Sequence, residues 1–124
     1  MRVRYTGPTE DSPPVPEDGR YHLIPGNEYA VLELHIQSDG SSSLRIEDSA
    51  DSLAGLYSGK FFEQLSGVIP DEWSIELRAQ GGLSMGPREW IVGDFWERMM
   101  ERLPEAEATY DAMREAILRQ DPLA

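Results

Sequence analysis

The chemistry open to this chain starts from a short list of side chains. His22 and His35 are the only imidazoles, and cysteine is absent. Thiolate nucleophiles, thiolate metal ligands and disulfides are excluded. A structural zinc site needs four His or Cys ligands, so two histidines cannot build one. No metal and no cofactor is expected. His35 falls on the outward side of an alternating segment, which reads as an ordinary surface position, with no nucleophile at a fixed spacing from it. Ser41-Ser42-Ser43 sits in a hairpin region and lacks the Gly-x-Ser-x-Gly elbow. Gly81-Gly82 and Gly86 lack the Gly-Lys-Ser/Thr ending of a phosphate loop. Asp39-Gly40 opens like a calcium loop whose later acidic ligands are missing. Asp71, Glu72 and Glu76 could pair for acid–base work, but a chain this acidic offers many such pairs by chance. No catalytic residue is predicted.

The charge is more informative than the motifs. The 124 residues carry 23 acidic and 11 basic side chains, a net −12. The excess is even: residues 1–70 hold 11 acids against 5 bases, and residues 71–124 hold 12 against 6. Such a surface repels phosphate backbones, so no nucleic-acid partner is expected. It attracts a basic protein and speeds encounter with it. The same charge serves solubility with no partner at all. No segment is apolar enough to span a membrane, and no apolar run follows Met1-Arg2-Val3-Arg4-Tyr5. The expected compartment is the cytoplasm, with no membrane partner.

The elements that would carry these residues read as α+β. One domain over 1–124 is expected, strand-rich over 1–66 and a hairpin plus helices over 67–124. Val3-Arg4-Tyr5 fits a short edge strand, and Thr6 to Gly19, with four prolines, a surface loop. After the Pro25-Gly26-Asn27 turn, Glu28 to Gln37 alternates. Ala30, Leu32, Leu34 and Ile36 face inward, and Tyr29, Val31, Glu33 and His35 face out. Ser38-Asp39-Gly40 turns the chain into a partner strand with Leu44 and Ile46 on the core side. Asp48 to Ser52 is a polar turn, Leu53 to Tyr57 a third strand, and Lys60 to Leu65 reads equally as strand or helical turn. Trp73, Ile75 and Leu77 alternate toward a Gln80-Gly81-Gly82 turn, with Leu83-Ser84-Met85 pairing back. Pro87 to Val92 gives a short helix stopped by Gly93. Asp94 and Glu97 have the spacing of a capping box opening a helix to Arg102. Pro104 opens the last helix, with Ala106, Tyr110, Met113 and Ile117 as its buried stripe.

Trp73, Trp90, Phe95 and Trp96 lie close together in the chain. They read first as core packing between hairpin and helices, and alternatively as anchors for a partner.

Two stretches carry a resemblance. The segments Arg4-Tyr5-Thr6-Gly7, Gly26-Asn27-Glu28-Tyr29-Ala30-Val31-Leu32, Leu44-Arg45-Ile46-Glu47-Asp48 and Gly55-Leu56-Tyr57 with Phe61-Phe62-Glu63 resemble small bacterial SH3-like β-barrel domains. The long proline loop and Ser41-Ser42-Ser43 depart from that pattern. Ile69-Pro70-Asp71-Glu72-Trp73, Gly86-Pro87-Arg88-Glu89-Trp90 and Asp94-Phe95-Trp96-Glu97 are similar to candidate immunity proteins of bacterial polymorphic toxin systems. The first resemblance implies a bent antiparallel sheet or partial barrel. The second implies a non-catalytic module that covers a toxin's active site. Its target would be a basic toxin domain, a nuclease by the charge reasoning, and Asp71, Glu72, Glu76, Glu97 and Glu101 are the expected partner-binding residues. A small adaptor or structural protein, and an enzyme using acidic residues, stay open as alternatives.

Overall fold

Alternation and turn chemistry act together to build the sheet. A computed structural model describes residues 1–7, 23–47 and 54–123. Its elements are β1 (Arg2–Tyr5), β2 (Glu28–Ile36), β3 (Ser42–Ile46), β4 (Gly55–Ser58), a 3-10 turn (Gly59–Phe61), β5 (Phe62–Gln64), β6 (Trp73–Leu77), β7 (Leu83–Pro87), α1 (Arg88–Ile91), α2 (Phe95–Met100) and α3 (Pro104–Gln120). The expected α+β class holds. Most of the proline-rich loop, His22, the Asp48 to Ser52 turn and Leu53 lie outside the described residues.

All strand pairs are antiparallel, in the order β4-β3-β2-β1-β5. The long strand β2 divides one of its edges: residues 28–30 pair with β1 and residues 34–36 pair with β7, which in turn carries β6. The seven strands form one open sheet. β1 is therefore an inner strand between β2 and β5, not the edge strand its sequence suggested. The ambiguous segment after Lys60 does both things in turn, a 3-10 turn and then β5.

The expected register of β2 is only half right. The β2–β3 pairing slips between Val31 and Glu33, so Leu32 is the extra residue of a bulge and the faces exchange there. Val31, Leu32 and Glu33 are all buried, while Leu34 and Ile36 are half-buried. Both faces of the strand are covered. The helical side takes Glu33, and the side shared with β1 and β5 takes Val31 beside Met1, whose carbonyl accepts the Val31 N–H at 3.0 Å.

Leu44, Ile46, Tyr110 and Ile117 are buried as expected, and Met113 is half-buried. Ile75 and Leu77, also assigned to the core, are 61 % and 76 % exposed. The aromatic cluster does pack inward. Trp90 stacks on Phe95 and on Tyr110, at 5.3 and 5.4 Å between ring centroids, and Trp96 meets Trp90 edge-on at 5.2 Å. Gly93, at φ +98°, turns the chain between α1 and α2 so that Trp90 and Phe95 both reach the core. The capping box does not form. Asp94 makes no side-chain cap, and its carboxylate instead accepts from Arg98 Nε at 3.2 Å.

α3 is tied to the sheet at its middle and just past its C-terminal end. The Tyr110 hydroxyl donates to Glu47, which also pairs with Arg114 Nε at 2.9 Å. Burial, reinforced by the Glu47 carboxylate, pushes the Tyr110 phenol well above its ordinary range. Just beyond the helix, Asp121 accepts from Arg2 Nε at 2.9 Å and from the Ser66 hydroxyl. Burial by itself would raise the Asp121 carboxyl, but those hydrogen bonds and the chain's amino group hold it below its ordinary value.

Candidate functional site

Antiparallel register puts Glu33 and His35 of β2 on one face with Ser84 of β7, because His35 and Ser84 are directly paired. Arg45 of β3 stands opposite Glu33. The four converge with Arg78 and Trp96 into one hydrogen-bonded network. Glu33 is 1 % exposed. Its Oε1 accepts from His35 Nε2 at 2.9 Å and from Arg45 Nε at 3.3 Å, and its Oε2 accepts from Trp96 Nε1 at 2.8 Å. The Arg45 guanidinium lies over the Trp96 ring, 4.0 Å from its centroid, and donates to the Ala54 carbonyl at 3.1 Å. One buried carboxylate thus meets one cation and two neutral donors, the arrangement that makes a buried charge tolerable.

The close approach of β7 depends on Gly86. A Cβ there would fall 2.8 Å from Glu33 Cγ and 3.1 Å from Ile91 Cγ2. Glycine lets the strand lie against the carboxylate stem and the first helix together.

On its other side the His35 ring meets Ser84 Oγ through Nδ1 at 2.7 Å. Arg78 Nε and Nη2 also reach Ser84 Oγ, at 3.0 and 2.6 Å, and Nη2 reaches the Ile91 carbonyl at 3.4 Å. These partners assign the protons. An arginine only donates, so its two N–H groups take both lone pairs of the Ser84 oxygen. The hydroxyl must then donate to His35 Nδ1, and His35 Nε2–H donates to Glu33. The result is a carboxylate–imidazole–hydroxyl chain in the order of an acyl-transfer triad. Its hydroxyl cannot act as the nucleophile as it stands. Ser84 is 2 % exposed, and the lone pairs that would attack are held by Arg78. The hydrogen bonds of this network tie β2, β3, β7, α1 and α2 together.

A groove of about 590 Å³ opens beside the network, with His35, Gln37, Leu56, Arg78, Leu83 and Ser84 in its wall. Among the described residues that line it, none is acidic. Among the described residues no group of three His, Asp or Glu side chains is placed to hold a metal ion.

His35 was expected as a free surface residue and is instead half-buried with both ring nitrogens engaged. The pair Glu33-x-His35 could have signalled this, since residues two apart on a strand share a face. Nothing in the sequence signalled Ser84 or Arg78, which depend on the β2–β7 register.

The five expected partner-binding acids fall into two groups. Asp71 and Glu72 lead into β6 and are tied to the end of α3. The Asp71 N–H donates to Gln120 Oε1 at 2.7 Å, and Gln120 Nε2 reaches both Glu72 oxygens at 2.7 and 2.6 Å. Glu76 stands on β6 opposite Ser84 and is half-buried. Glu97 on α2 and Glu101 just after it are exposed and four residues apart. Among the described residues none of the five is in an ion pair.

Among the described residues β6 pairs only with β7, which makes it the sheet's outer strand on this side. Register puts its exposed side chains at the end of continuous apolar rows: Ile75, Met85 and Leu34 in one, and Leu77, Leu83 and Ile36 in the next. The inner members are half-buried and the β6 members stand in solvent.

No protein-family model matches the chain, and no curated protein or solved structure is significantly similar to it. Among the described residues no helix is long and apolar enough to cross a membrane.

Proposed function

We propose that this chain is a non-catalytic protein-binding module, and within that class an immunity protein that neutralises a basic toxin domain by covering its active site. The observation that carries the reading is the outer strand β6, whose Ile75 and Leu77 extend the apolar rows of the sheet into solvent. Large apolar side chains at an unpaired sheet edge are a liability unless something covers them. The net charge of −12 selects a basic partner and speeds encounter with it. The Ser84 hydroxyl held by Arg78, and a groove with no acid among its described lining residues, favour the binding reading over the enzyme alternative. The adaptor alternative shares the exposed edge and differs in its partner.

The test is co-expression with the toxin domain encoded beside this gene. Protection of the host cell, with a complex of the two purified chains, supports the reading. Unprotected cells with no complex, or a gene without a toxin-bearing neighbour, contradict the immunity assignment.

A further inference from the structure

We infer that β6 is the docking edge itself, and that it takes an extended, basic strand of the partner by adding that strand to the sheet. This rests on the protein-binding reading and names the mode of contact. The backbone decides which groups are on offer. Arg78 N–H donates inward to the Gly82 carbonyl at 3.2 Å, one step beyond the Leu77–Leu83 pair. Antiparallel pairing alternates, so Glu76 and Ser74 also face β7, while Trp73, Ile75 and Leu77 face away from it. Two facts agree. Trp73 N–H turns outward to the Pro70 carbonyl at 3.1 Å, and the residue opposite Trp73 is Pro87, which has no N–H to give. The outward N–H and C=O groups of Ile75 and Leu77 have no backbone partner among the described residues.

An added strand would satisfy those groups, the usual source of affinity when a peptide extends a sheet. Its alternate side chains would meet two different surfaces. Those on the side of Ile75 and Leu77 would lengthen the apolar rows begun by Leu34, Met85, Ile36 and Leu83. Those on the other side would meet Glu76. The run from Asp71 to Leu77 holds three carboxylates, and the guanidinium of Arg78, which follows it, is engaged by Ser84 and the Ile91 carbonyl, so the second set should be basic. A second copy of this chain fits less well, because it would bring the same three carboxylates and a net −12 against its own kind. β6 carries no lysine or proline of the kind that blunts a sheet edge, so its backbone is open to an added strand.

The probes are two capped peptides of about six residues, the usual strand length, one alternating Val and Lys and the other Val and Glu. Each is titrated into the full chain while backbone amide signals and their hydrogen exchange are followed. The Val/Lys peptide should slow exchange at Ile75 and Leu77, and the Val/Glu peptide should not. Ile75→Pro removes an outward N–H without touching the ladder to β7, so the fold should survive. It should weaken Val/Lys binding about tenfold or more, the scale of one lost hydrogen bond with its packing. Leu77→Thr keeps a strand-favouring residue, removes apolar surface, and carries the test if the proline variant does not fold.

Shifts that map elsewhere, equal binding of both peptides, undiminished binding by the variants, or a dimer dispersed by Ile75→Pro would each overturn the inference. Toxin protection fully retained by Ile75→Pro would overturn it while leaving the immunity reading in place. Failure of the unaltered chain to protect strikes that reading, whatever the peptides do.

Discussion

Replacing Glu33 with Gln tests the polar network at its centre. The substitution keeps shape and one acceptor and removes the charge that Arg45 faces. Glu33 is 1 % exposed and accepts from three side chains, His35, Arg45 and Trp96. Breaking a buried ion pair from one side costs about 3–5 kcal/mol, because the remaining charge loses its partner. The amide nitrogen also adds a donor where His35 Nε2–H and Arg45 Nε–H already donate. Gln retains an oxygen for Trp96, which recovers about 1 kcal/mol. The net expectation is a loss of about 3 kcal/mol, a large fraction of the roughly 5–15 kcal/mol that holds a domain of this kind together. Urea unfolding followed by tryptophan fluorescence suits the measurement, since the Trp96 indole is itself in the network. A lower midpoint at unchanged slope is expected. A loss below about 1 kcal/mol, in the range of ordinary surface substitutions, would refute the claim that this carboxylate anchors the sheet to α2.

Two further outcomes follow from the same packing. Asp121, held below its ordinary 3.8 by Ser66, Arg2 and the amino group, stabilises the fold above that value, and the contribution fades as pH falls through the lower folded-state value. Asp121→Asn should therefore be less stable than the unaltered chain at neutral pH, and the gap should close below about pH 4 in acid unfolding curves; a gap independent of pH contradicts this. Gly86→Ala sets a methyl group 2.8 Å from Glu33 Cγ and should cost about 1–3 kcal/mol by urea unfolding, whereas a neutral result means that β7 has room to move.

The turns and the last helix were legible because local chemistry decides them. Gly26 and Gly82 take positive φ, which glycine does freely, and Pro104 with Glu105 and Glu107 begins α3 where expected. Register was legible only in part. Nothing in Tyr29-Ala30-Val31-Leu32-Glu33 marks Leu32 as the bulged residue, and that bulge moves Glu33 from the predicted solvent face into the core. Ile75 and Leu77 show a different limit. A strand waiting for a partner and a strand already in the core share the same apolar alternation, since the pattern records apolarity and not what covers it. The capping-box spacing at Asp94 failed for a third reason: Arg98, one turn on, offered the carboxylate a competing partner. Among the described residues the expected binding acids meet no cation, and only Glu72 is held, by Gln120, so their role rests on what approaches them.

The central proposal, an acidic module that captures a basic protein, is tested most directly by the association rate between the full chain and any toxin domain encoded beside its gene. Stopped-flow measurement at low and high salt should show a steep fall as salt rises, because steering of opposite charges is screened beyond about 10 Å at 0.1 M. Reversing Asp71, Glu76 and Glu101 to Lys should slow association further while leaving the unfolding midpoint close to that of the unaltered chain. An acidic toxin domain, or a rate unchanged by both salt and charge reversal, would contradict the account.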